Sequence, residues 1–159
     1  MSLSFLGIGT ATPRGSLSQD AIAANINKAA FERTDSQKRL VRTLFRSTEI
    51  ERRSLVLLEG SADEALENAF KFYRPAQDAG DLGPTTGARM ARYGQEAGKL
   101  AAEAARAALA DAAISSGTIT HLITVSCTGF YAPGVDVALI KELGLSPDVG
   151  RLQIGRAHV

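Results

Sequence analysis

The run ITHLITVS, residues 119 to 126, constrains the fold of this chain more than any other feature. It reads as a continuous apolar strand, bounded behind by Gly117 and ahead by the glycine- and proline-bearing stretch CTGFYAPG. A strand with little polar surface needs cover on both faces, and parallel sheets receive that cover from helices. Both flanks supply a helical pattern. From Thr85 to about Ala113, Arg89, Arg92, Glu96, Lys99, Glu103 and Arg106 fall three and four apart, which puts them in one charged stripe with Arg92–Glu96-type pairs. Opposite lie Tyr93, Ala97, Leu100, Ala101, Ala104, Ala108 and Leu109, whose alanines admit a close backbone approach. Beyond the strand, Pro133 suits the first turn of a helix reaching about Leu143.

The front of the chain repeats the alternation. Leu3 to Gly9 reads as a short buried strand running into a loop closed by Pro13 and Gly15. Its GIGTAT half-resembles a dinucleotide fingerprint, but Thr12 replaces the third glycine and Pro13 follows where a helix should already run, so a strand-to-loop turn is the reading. Ser18 or Asp20 caps a helix through about Phe31, Asp35 or Ser36 caps a second through about Arg46, and a strand follows at roughly Glu51 to Leu57. Residues 59–84 mix helix-compatible pieces with DAGDLGP, an exposed connection. Strands alternating with helices predict an α/β layered fold with a largely parallel sheet, whose ligand sites gather at the carboxyl ends of strands.

Composition narrows the class of function. At 159 residues, with 45% hydrophobic and 22% charged residues, the chain has one domain's length and enough material for a core. A formal charge of +1 argues against a chain built around nucleic acid or an anionic membrane surface. The single cysteine excludes an internal disulfide, no signal segment opens the chain, and no apolar run approaches a membrane span. The expected compartment is the cytoplasm, with no membrane or nucleic-acid partner and no metal.

Two constellations carry possible chemistry. Arg39, Arg42 and Arg46 share one face of the second helix, and guanidinium forks suit phosphate oxygens such as those of coenzyme A. A solvated basic face is the other reading of that spacing. Cys127 ends the apolar strand. As a nucleophile it needs a nearby base, and the only imidazoles are His121, six residues back on an extended chain, and His158, next to the last residue. A small packed residue is the competing reading.

The stretch ITHLITVSCTGFYAPGVDVALIKELGLSPDV closely resembles type III polyketide synthases of the chalcone and stilbene synthase kind, and the similarity extends through IGTATP, FRSTEIERR and the TTGARM helix start, to about Gln153. The resemblance implies the N-terminal half of a thiolase-like αβαβα layered fold, truncated. The parent would be a homodimeric acyltransferase that loads an acyl group from coenzyme A onto a cysteine, extends it with malonyl-CoA units by decarboxylative condensation and releases a cyclised product. Coenzyme A thioesters are the implied substrates, with no bound cofactor. Arg39, Arg42 and Arg46 fall on the positions that hold coenzyme A phosphates. Cys127 and Thr128 match the wall of the cavity in which the chain grows, the family's nucleophile lying further along, past a strand that begins near Val149. Phe130, Ala132 and Pro133 match the loop that crosses the dimer interface, with a cis bond implied at Ala132–Pro133.

The resemblance implies no catalytic residue within these 159, because the family's Cys-His-Asn machinery comes later. Residues 1–153 are then an incomplete synthase-like domain, and IGRAHV, residues 154–159, matches the translation of a sequencing-library adapter. A fragment of this kind is expected to be inactive and poorly soluble. Two alternatives stay open: a fragment of a ketoacyl-ACP-synthase-III-like condensing enzyme, and a non-catalytic phosphate- or nucleic-acid-binding domain using the arginine face, which has only Phe45 as an interleaved aromatic.

Overall fold

A computed structural model describes residues 2–58, 71–127 and 129–155. The chain divides into two compact units, one formed by Thr12–Thr85 and the other by Met1–Ala11 with Thr86–Val159.

The first unit contains β1 (Ser16–Ser18), α1 (Gln19–Ala29), α2 (Asp35–Ser47) and β2 (Arg52–Ser54). Ser18 caps α1 as expected, its Oγ accepting the Ala21 N–H at 3.2 Å. The second helix is capped one residue earlier than expected. Thr34 Oγ1 accepts the Gln37 N–H and Gln37 Oε1 accepts the Thr34 N–H at 2.9 Å, the reciprocal pairing that the spelling T-D-S-Q encodes. The two strands pair antiparallel, Leu17 facing Arg53, so this part of the chain departs from the expected parallel sheet. β2 is also shorter than the Glu51 to Leu57 reading: Leu55 leaves the ladder to bond Gly15, and Leu58 is buried against Gly15 where a side chain would not fit.

The second unit contains α3 (Thr86–Asp111), a 3-10 turn (Ser116–Thr118), β3 (His121–Ser126), α4 (Val135–Leu143) and β4 (Gly150–Gly155). β3 and β4 are parallel, in register from His121 opposite Gly150 to Ser126 opposite Gly155. Helix α4 links them and ends at Gly144 in the left-handed region, its N–H bonded to the Ile140 carbonyl. Of the stretch 154–159, Ile154 and Gly155 complete β4, while residues 156–159 lie outside the described residues.

Four expectations change in this unit. Leu3 to Gly9 joins no ladder among the described residues. It lies instead along α3, with the Ile8 N–H on Asp111 Oδ2 at 3.0 Å and Gly7 and Gly9 pressed against the backbone of Ala104, Ala108 and Ala112. The alanine face is therefore approached closely, by a glycine-bearing segment. The most buried line of α3 is Gly98 and Ala102, not the Tyr93–Leu109 face, because α4 packs there through Ala138. β3 alternates exposed with half-buried residues, Ile123 at 60% and Val125 at 65% exposure, so only one of its faces is covered. Pro133 precedes the cap Gly134 instead of entering the helix, while the Ala132–Pro133 bond is cis as the resemblance implies. Within the charged stripe Arg92 pairs with Glu96 at 3.3 Å, but Arg106 reaches Glu142 at 2.8 Å and ties α3 to α4. No helix among the described residues is long and apolar enough to cross a membrane.

Candidate functional site

Arg39, Arg42 and Arg46 project from the exposed side of α2. Arg42 Nε bonds the Lys38 carbonyl at 3.4 Å, Arg46 Nε meets Asp20 Oδ1 at 3.3 Å, and Arg39 has no side-chain partner among the described residues. The helix carrying them is fastened by Gln19, which is buried. Its Nε2 donates to the Phe45 carbonyl at 3.2 Å and to Thr48 Oγ1 at 2.9 Å, while its Oε1 accepts from Arg53 Nε at 2.9 Å. A buried amide with all these partners is satisfied and directional, so it sets where the last turn of α2 points. The sequence reading missed Gln19. Its only signal is a polar residue directly after a capping serine, and periodicity along one helix does not reveal a partner on another.

The second constellation lies at the carboxyl end of β3, where Cys127 is exposed. His121 sits at the far end of the strand, about 20 Å away at the rise of an extended chain, with Nδ1 at 3.0 Å from Thr120 Oγ1. The two form no dyad. Thr128 and His158 lie outside the described residues. Phe130, Ala132 and Pro133 are exposed.

At the same strand end is a cavity of about 150 Å³ lined by Tyr93 and Ala97 of α3, Thr124 and Ser126 of β3, Tyr131 and Gln153, with Ser126, the neighbour of Cys127, on its wall and Cys127 itself outside the lining. Tyr93 Oη lies 2.8 Å from Ser126 Oγ, and Ser126 Oγ donates to the Gly129 carbonyl at 3.0 Å. The Tyr131 ring meets Tyr93 edge-on at 5.9 Å between centroids. Burial raises the Tyr131 phenol above its ordinary pKa, with Tyr93 and Asp136 adding to the effect. Asp136 anchors the neighbouring wall through Arg151 at 3.2 Å and Gln153 at 3.5 Å. This arrangement offers an apolar floor with neutral hydroxyl groups. It can shape a ligand, but among the described residues it pairs no nucleophile with a base, and no group of three His, Cys, Asp or Glu side chains could hold a metal.

A parallel β-α-β unit with a loop-built cavity at the strand's carboxyl end, in a chain of mixed α/β structure, defines the class: a thiolase-like fold. Residues 2–157 match the sequence profile of the chalcone and stilbene synthases, N-terminal domain, and the chain belongs to that family. It is 32% identical over 149 residues to a 3,5-dihydroxyphenylacetyl-CoA synthase of Streptomyces toyocaensis, covering 94% of this chain and 32% of that protein. An alpha-pyrone synthesis polyketide synthase-like protein of Mycobacterium tuberculosis is 29% identical over 150 residues, 93% of this chain and 34% of its own. Among solved structures, a type III pentaketide synthase from Neurospora crassa superposes with a TM-score of 0.74 at 27% identity, over 96% of this chain and 36% of that one. A mutant of CsyB complexed with CoA-SH gives 0.76 at 26% identity, over 98% and 37%. The chain thus spans about a third of the length of the curated relatives it matches.

Proposed function

We propose that this chain is the coenzyme A-holding, pocket-forming front portion of a type III polyketide synthase, an acyltransferase that condenses an acyl-CoA starter with malonyl-CoA units. The observation that carries the reading is the row of Arg39, Arg42 and Arg46 on the open face of α2, in a chain of this family similar to a structure described as complexed with CoA-SH. Phosphate oxygens of a coenzyme A thioester would take the place of water on these guanidinium groups, and the Asp20 carboxylate would release Arg46 as they do so. Cys127 and Thr128 border the growing chain and influence product length, and Phe130, Ala132 and Pro133 reach a second subunit in a homodimer. On this reading acyl transfer rests on Cys-His-Asn machinery elsewhere in the full-length protein, and the 159 residues by themselves turn nothing over.

Calorimetry of coenzyme A binding to the full-length protein tests this. Arg39→Gln, Arg42→Gln and Arg46→Gln should each weaken binding about five- to tenfold, as expected when a partly exposed, charge-assisted phosphate contact is lost. A triple variant that binds coenzyme A as tightly as the parent overturns the assignment. Steeply salt-dependent binding of RNA by the parent, with no preference for coenzyme A, would instead favour a nucleic-acid surface.

A further inference from the structure

We propose that Tyr93 is a positioning residue for the pocket wall: acting through Ser126, its hydroxyl sets the turn that displays Cys127, and thereby the room left for the growing product. This rests on the reading of Cys127 as part of that wall.

The hydrogen-bond direction can be deduced. Ser126 has one hydroxyl hydrogen, and it goes to the Gly129 carbonyl, so Tyr93 must be the donor at 2.8 Å and Ser126 the acceptor. The Ser126-to-Gly129 bond closes a loop from residue i to i+3, and Cys127 lies inside it. A hydroxyl that accepts a hydrogen bond becomes a better donor, so the Tyr93 contact strengthens the closure.

The same side chain clamps the loop by shape. Its ring lies so close over Gly129 that a Cβ there would strike the ring atoms. It packs in a T-shape with Tyr131, which in turn rests against Gly94 and Gly98, one turn apart on α3. One aromatic residue of α3 therefore meets the loop at Ser126 and again at Gly129. Packing on the helix needs only the ring. The phenolic oxygen serves the loop, which separates a positioning role from a purely structural one.

The test uses Tyr93→Phe, which keeps the ring, and Ser126→Ala, which removes the relay from the other end, both in the full-length protein. Amide hydrogen exchange across residues 127–131 should quicken about three- to tenfold in each, the range expected for loss of one such hydrogen bond, while peptides from α3 and β4 keep their rates. With one acyl-CoA starter and malonyl-CoA, the ratio of shorter to longer products should shift at least about threefold. Unchanged exchange, or an equal rise across the whole unit, overturns the positioning role. Faster exchange with an unaltered product ratio overturns the link to product length. If the parent makes no polyketide, the proposed function fails, and exchange alone still decides whether Tyr93 holds the turn.

Discussion

Arg46 stands 3.3 Å from Asp20, so one of the three guanidinium groups assigned to phosphate already faces an anion. Both side chains are well exposed, and such pairs contribute little, roughly 0.2–1 kcal/mol. Asp20→Asn should therefore tighten coenzyme A binding by no more than about fivefold, measurable by calorimetry. A weakening would mean that Asp20 orients Arg46 rather than competing for it. Asp81 is a clearer electrostatic case. Its carboxylate accepts the N–H groups of Gly83 at 3.0 Å and Gln77 at 3.3 Å, and these bonds, helped by Arg74, hold it below the usual carboxylate range against a small opposing effect of burial. A depressed folded-state pKa gives stabilisation that is present above the unfolded value of about 3.9 and lost as pH falls through the folded one. The carboxyl carbon of Asp81 should accordingly titrate below about 3.9 by NMR. Asp81→Asn should speed exchange of the Gly83 amide at neutral pH. At this scale the sequence displayed the arginine row, because helical spacing alone puts those residues together. It did not display Gln19, Asp20 or Tyr93 as site residues, since each matters through a partner 26 or more positions away.

Helices were legible where capping chemistry is local. The starts of α1 and α2 follow from Ser18 and from the Thr34–Gln37 pair, within a residue of expectation. Strands were less legible, because a strand is defined by what pairs with it. Leu3 to Gly9 has the residue types of a strand yet lies along α3, while the short polar Ser16–Ser18 pairs with β2. The contact between α3 and α4 depends on the absence of a side chain at Gly98, where an added Cβ would stand 2.9 Å from Ala138 Cβ. Gly98→Val should therefore push the helices apart and cost about 1–3 kcal/mol, read from denaturant unfolding of the full-length protein. A neutral effect would show that α4 moves aside freely.

The whole chain leaves much apolar surface uncovered. In the second unit Leu3 and Phe5 are 94% and 91% exposed, and Ile123, Val125, Leu152 and Ile154 of β3 and β4 are exposed as well. In a layered fold, exposed apolar surface of this extent is surface that another layer can cover. The 159-residue chain produced by itself should bind an apolar dye and scatter light at concentrations where the full-length protein does neither. A dye-silent, monomeric and cooperatively unfolding chain would contradict this. The sequence by itself determined the α/β class, the starts of α1 and α2 to within a residue, the arginine row and the family, because each is written in local spacing or in contiguous motifs. Only the tertiary structure decided which glycines take a neighbour's backbone, which strands pair and in which direction, and that Tyr93 holds the turn bearing Cys127. Those outcomes depend on contacts between residues far apart in the chain, and no local pattern encodes the partner.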